Sequence, residues 1–269
     1  MGRLAVFLWS ATLIVPVPAV AQPGGGSVPA GAAVEAIVPS DSIVAAVANT
    51  AARTPENVKL DESRKPAEVL SFFGLQPGMS VVDMFGANRY WAEIIAPAVG
   101  PYGSVVVWQP TQFMNDKRRT EFAEFTARQP NVVLLSSPME QPLVGANRYD
   151  FMIMNLDYHD VYWEDPERGI LRMDPPAWLR TIYAAMKPGA VVGIVDHAAT
   201  PGGDTRAVVD KLHRIDPAVV KADFERAGFV LEAESDLLRN PADDHSLNVF
   251  DPAIRGKTDR FVFRFRKPA

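Results

Sequence analysis

From Gly78 onward the chain alternates short, almost purely apolar runs with longer amphipathic stretches. Met79 to Phe85, Ser104 to Gln109, Val132 to Ser136, Phe151 to Asn155 and Ala190 to Asp196 have the length and aliphatic content of buried strands. Between them, Tyr90 to Val99, a stretch containing Glu121 to Arg128, and Pro176 to Met186 carry a helical period, the last stopped by Lys187-Pro188-Gly189. A further helix, Pro217 to Ala227, ends at Gly228 and is followed by strand Phe229 to Ser235, and Arg260 to Arg266 alternates as a final strand. Strands spaced by helices predict right-handed βαβ units and a mostly parallel α/β sheet. The last two strands lack a helical pattern between them and are expected to pair antiparallel. Ahead of this region, Pro66 to Phe73 reads as a helix with proline in its first turn and Gly74 as its cap, and Ser42 to Ala52 as a short helix.

The N-terminus follows a different pattern. Arg3 precedes an apolar run from Leu4 to Val20, broken by Pro16 and Pro18, and Ala19-Val20-Ala21 forms a small-x-small cleavage site. Residues 1–21 therefore read as a signal peptide, which implies export to the periplasm or beyond. Residues 22–55 read as a flexible Gly/Pro/Ala-rich leader with the short helix near its end, and 56–269 as one domain. No second long apolar stretch follows, so no stable membrane anchor is expected after cleavage. The chain has 269 residues, 48% hydrophobic and 22% charged, with no cysteine. Disulfides, thiolate metal sites and a cysteine nucleophile are excluded. A net charge of −5 argues against a broad nucleic-acid surface.

In an open parallel sheet, ligands bind at the carboxyl ends of the strands, where strand order reverses. Three tips carry candidate chemistry. The first is Asp83-Met84-Phe85-Gly86-Ala87-Asn88-Arg89, a strand ending in an acid and turning into a helix, where a ligand rests against backbone amides. The second is Asp157-Tyr158-His159-Asp160. His159 suits a general base, Asp157 or Asp160 can orient it, and Tyr158 can stack on a flat ligand. The third is Asp196-His197, followed by His213-Arg214-Ile215-Asp216, in which Asp216-Pro217 reads as a helix N-cap. Asp157, His159, Asp196 and His197 can form either an acid/base group or an oxygen/nitrogen metal site. Phe85, Tyr90, Trp91, Trp108 and Tyr158 suit a flat or apolar acceptor, or equally a core.

These segments resemble the class I S-adenosylmethionine-dependent methyltransferases, and within them an exported bacterial group of predicted methyltransferases. The resemblance rests on Arg64-Lys65-Pro66-Ala67-Glu68-Val69-Leu70, Pro77-Gly78-Met79-Ser80-Val81-Val82-Asp83, Tyr158-His159-Asp160, Lys187-Pro188-Gly189, Leu212-His213-Arg214-Ile215-Asp216 and Leu237-Leu238-Arg239-Asn240-Pro241. It covers nearly all of the chain from about Glu56. It implies a Rossmann-like seven-stranded sheet with an antiparallel C-terminal hairpin and helices on both faces. It also implies S-adenosylmethionine as cofactor and a small-molecule acceptor. On this reading Asp83, Phe85, Gly86, Ala87 and Arg89 hold the cofactor, Gln109 meets its ribose, and Asp157 and Tyr158 lie beside it. His159 or His197 takes a proton, steadied by Asp160 or Asp196. Related sequences carry glycines where this chain has Ala87, Asn88 and Arg89. Two alternatives therefore stand beside methyl transfer: an exported binding protein that has lost the cofactor, and a metal-assisted hydrolase or lyase built on the second and third tips.

Overall fold

The computed structural model describes residues 38–86 and 88–269. The proposed signal peptide, residues 22–37 of the leader, and Ala87 lie outside the described residues. The chain runs α1 (Asp41–Ala48), α2 (Pro55–Val58), α3 (Asp61–Arg64), α4 (Pro66–Phe73), β1 (Ser80–Met84), α5 (Tyr90–Val99), β2 (Ser104–Pro110), α6 (Asp116–Arg128), β3 (Val132–Ser137) and β4 (Tyr149–Asn155). It continues through α7 (Pro175–Ala185), β5 (Met186–His197), α8 (Thr205–Leu212), α9 (Pro217–Arg226), β6 (Val230–Ser235) and β7 (Arg260–Arg266). The strands form one seven-stranded sheet in the order β3-β2-β1-β4-β5-β7-β6. Pairings from β3 through β5 are parallel, and β7 runs antiparallel to both β5 and β6. The expected sheet and its antiparallel hairpin are thus both present.

The central strands β1, β2, β4 and β5 are buried on both faces, which is why they read as unbroken apolar runs. Alternation along each strand sends Val82, Met84, Met152, Met154, Val192 and Ile194 to one core, closed by α7 and α9. Val81, Val105, Val107, Phe151, Ile153 and Val195 go to the other, closed by α1, α4, α5 and α6. Strand order reverses between β1 and β4, so their C-terminal tips splay apart and leave room above the sheet.

Three details differ from the sequence reading. Lys187-Pro188-Gly189 is not a loop between helix and strand. Met186 already pairs with Tyr149, and the register shifts before Phe151 meets Val191. Gly189 takes up that shift at φ 78°. The helix at α8 has no counterpart in the sequence reading, although Asp204 caps it by accepting from the Ala207 N–H at 2.9 Å. Finally, residues 38–55 pack on the domain. Ile43 and Ala46 of α1 are buried against it. The Arg53 guanidinium donates two 2.7 Å hydrogen bonds to the Asp61 carboxylate. No helix among the described residues is long and apolar enough to cross a membrane.

Candidate active site

The tips of β1, β4 and β5 border two adjoining cavities. The smaller, of about 120 Å³, sits over the β1–α5 turn and is lined by Asp83, Phe85 and Gly86. The larger, of about 610 Å³, reaches toward β5 and the segment before β7, and is lined by His159, Asp160, His197 and His213. Arg64, Asn88, Leu156 and Asp157 border both, so the two spaces meet along this line.

At the first tip the Asp83 carboxyl is 1% exposed. Its Oδ2 accepts no hydrogen bond among the described residues. Burial pushes its pKa up to about 8, against the pull of Arg64 and a hydrogen bond from the Ala92 backbone. Gly86 is required here by packing. A Cβ would stand 2.7 Å from both Asp83 Cγ and Val107 Cγ1. Arg89 does not enter either cavity. At φ 62° it starts α5 in the left-handed region, and its guanidinium pairs with Glu121 at 2.8 Å above the Phe122 ring. The space over the turn is therefore not filled by Arg89. Just before the α5 cap, Asn88 Oδ1 accepts from the Tyr90 N–H at 3.1 Å.

Arg64, unmarked as a site residue in the sequence, is the cation of the small cavity. Its guanidinium stacks 4.3 Å from the centre of the Tyr90 ring. The Tyr90 hydroxyl donates to Asp61, which also holds Arg53. Burial lowers the Arg64 pKa, opposed by Tyr90, Asp157, Asp83 and Asp61.

The second and third tips converge as the sequence reading expects for His159, Asp160, Asp196 and His197. Asp196 is fully buried. Its Oδ1 lies 2.8 Å from His159 Nδ1 and accepts from the His197 N–H, while Oδ2 accepts from the His159 N–H. Burial alone would lower the His159 pKa, but the Asp196, Asp160 and Asp157 carboxylates raise it to about 9. Burial, followed by the charge of Asp160, pushes the Asp157 pKa well up. His197 is held well below its ordinary value by burial and by the charges of His159, Arg260 and Arg214. Its Nδ1 lies 2.7 Å from Thr258 Oγ1.

Tyr158 and Gln109 lie away from the cavities. Tyr158 is buried in the α9-side core against Trp178 and Phe224, and its hydroxyl donates to Asp223 at 2.9 Å. Residues 158–162 form a 3-10 turn, whose three-residue period sends Tyr158 inward and His159 toward Asp196. Gln109 is buried at the end of β2, its backbone in register with Ser136. Of the five aromatics, Tyr90, Trp91, Trp108 and Tyr158 are core. Phe85, edge-on to Trp108, and Trp91 border the smaller cavity.

The residues following α8 explain the His213-Arg214-Ile215-Asp216 run one by one. His213, at φ 51°, turns its ring into the larger cavity. Arg214 is fully buried and donates to Leu247 O, Ala198 O and Asp243. Ile215 makes a parallel bridge to Ala198, extending β5. Asp216 caps α9, its Oδ1 accepting from the Ala218 N–H at 2.8 Å. Arg239 and Asn240 bond Asp259, whose backbone N–H donates to the same Asp243.

No protein-family model matches the chain, and no curated protein matches it in sequence. Solved structures do match in shape. A SAM-dependent methyltransferase from Aquifex aeolicus is 18% identical, with a TM-score of 0.53 over 79% of this chain and 93% of that one. The 1,6-didemethyltoxoflavin-N1-methyltransferase of Burkholderia thailandensis, solved with S-adenosylhomocysteine, is 17% identical at a TM-score of 0.51 over 88% and 94%. The cyclase SpnF is 12% identical at a TM-score of 0.53 over 85% and 93%. At such identities the likeness establishes architecture, and the chain has the Rossmann-like fold of the class I methyltransferases.

Proposed function

We propose that this chain is an S-adenosylmethionine-dependent methyltransferase acting on a small, anionic acceptor. The carrying observation is the pair of joined cavities at the β1/β4 reversal, with Arg64 and the unpartnered Asp83 oxygen in the smaller one. The cofactor's amino-acid end bears a carboxylate and an ammonium. Arg64 suits the first and Asp83 Oδ2 the second, and the remainder would extend along the shared line into the larger space. The cofactor supplies an electrophilic methyl group.

This chain's own residues bind and orient. Arg260, 7% exposed, enters the larger cavity with its Nε buried and without a hydrogen bond among the described residues. Its Nη2 is anchored on Ser63 O at 2.7 Å. A desolvated guanidinium with a spare donor suits an acceptor carboxylate or similar anion. The His159–Asp160–His213 cluster borders the same space and would face the acceptor. Fixing both partners in one enclosed space is the main contribution asked of the protein, since in-line methyl transfer needs alignment above all. The N-terminal signal pattern adds the proposal that the chain acts after export.

Calorimetric titration of the purified protein with S-adenosylmethionine and S-adenosylhomocysteine is expected to show saturable binding. Arg64→Met should weaken it by about 10- to 100-fold, the range for losing a hydrogen bond to a charged partner. Absence of binding to wild type ends the reading. The narrowness of the smaller cavity, about 120 Å³, favours a second reading, a binding protein that no longer takes the cofactor. The same titration separates the two.

A further inference from the structure

We infer that His159 Nε2, Asp160 Oδ1 and His213 Nδ1 form a site for one divalent transition-metal ion of the zinc type, opening into the larger cavity. The three donor atoms lie within 4.8 Å of one another. Asp160 Oδ1 stands 3.3 Å from His159 Nε2 and 3.6 Å from His213 Nδ1. Ligands held ~2.0–2.1 Å from a tetrahedral ion lie about 3.3 Å apart. These two separations are therefore close to those of a loaded site.

The carboxylate oxygen supplies an independent observation. Asp160 Oδ1 is buried and accepts no hydrogen bond among the described residues, although two imidazole nitrogens flank it. Both separations are within ion-pairing range, yet neither contact is a hydrogen bond. A buried carboxylate oxygen with no donor is costly. An ion held by all three atoms would satisfy it.

The surroundings are built in the manner of a metal site. His159 has its other ring nitrogen fixed by Asp196, which also takes the His159 and His197 backbone N–H groups. A carboxylate behind a ligating imidazole sets its tautomer and orientation. His213 is held by its left-handed backbone and by ring contacts with Trp163 and Phe250, centroids 5.3 and 5.0 Å away. Two imidazoles and one carboxylate favour a transition ion over magnesium or calcium, which prefer all-oxygen sets. All three ligands border the cavity, so the remaining coordination positions face the acceptor space. On the methyltransferase reading, the ion would bind an acceptor oxygen and ease loss of its proton.

The site differs from the one anticipated in sequence. His213 and Asp160 are ligands, Asp196 is the positioning residue, and Asp157 and His197 are outside the set.

The test is titration of chelator-stripped, untagged protein with cobalt(II), followed by competition with zinc(II). Wild type is expected to develop a visible ligand-field band that saturates at one equivalent and is displaced by zinc. His213→Ala should remove saturable binding. Asp160→Asn should do the same, and decides the matter if His213→Ala fails to give a native circular-dichroism spectrum. Asp196→Asn should retain one site but weaken it by about 10- to 100-fold. His245→Asn, a histidine that instead bonds Asp259 at 3.0 Å, should bind as wild type does. No stoichiometric cobalt binding, or binding untouched by both ligand variants, overturns the inference and leaves the cofactor titration unaffected.

Discussion

Arg214→Met is expected to lower the unfolding free energy by about 3–5 kcal/mol, the usual consequence of removing one partner of a buried ion pair. The side chain is fully buried, and Nη1 lies 2.9 Å from Asp243 Oδ2. Its loss leaves the buried Asp243 charge without its cation and strips the Leu247 and Ala198 carbonyls of a donor. For a domain of this size the melting temperature should fall by roughly 10 °C. Methionine matches the volume, so the loss reports charge and hydrogen bonds more than packing. Arg214→Lys should recover only part of it, because one ammonium cannot reach three acceptors arranged for a planar fork. A double variant, Arg214→Met with Asp243→Asn, should be less damaged than the sum of the singles, since no bare charge remains. A fall below about 1 kcal/mol in urea unfolding would show that the Arg214 contacts do not hold the 240–259 segment.

The second large effect is pH-dependent and belongs to Asp83. The folded protein keeps the Asp83 proton up to about pH 8. The unfolded chain releases it near pH 4, the ordinary range for aspartate. Below that lower value the group contributes its full stability, which is lost as pH rises toward about 8. The expected slope is about 1.4 kcal/mol per pH unit inside this window. Asp83→Asn carries no ionisable proton and should escape the decline. Unfolding free energies of the two proteins, measured from pH 5 to 8, should diverge in the variant's favour by about 4 kcal/mol. Parallel curves would mean the folded carboxylate is already ionised and balanced by Arg64. The same variant should weaken cofactor binding, which sets the cost of the buried acid against its use.

Much of the architecture was legible because both sheet faces are covered. Burial on two sides forces runs such as Val81-Val82 and Phe151-Met152-Ile153-Met154, which stand out against the amphipathic helices. The convergence of Asp157, His159, Asp196 and His197 was legible for a related reason: parallel strands of one sheet end on the same edge. What escaped was direction. Nothing in Asp157-Tyr158-His159-Asp160 announces a 3-10 turn, and that turn decides that Tyr158 joins the core while His159 faces Asp196. Arg89 carried the same ambiguity, resolved by Glu121, a residue 32 positions away. Arg64 and His213 were missed because each reaches the site from outside the strand tips, one through α3 and the other through the end of α8. The apolar positions Val208, Val209 and Leu212, spaced as on one helical face, and the Asp204 cap were available signals for α8.

Phe85, Arg89, Leu156 and His213 all have φ between 51° and 67°, and all four stand where β1, α5, β4 and α8 begin or end around the site. Glycine would sit there without torsional penalty, yet the chain carries bulky side chains in a backbone region that disfavours them. The rim is consequently a place of competing demands. Substitutions that relax the main chain at Phe85, Leu156 or His213, the three that line a cavity, would make the molecule sturdier while blunting its grip on whatever enters. A screen selecting only for heat resistance would therefore tend to erase the very positions that a screen for ligand capture must keep.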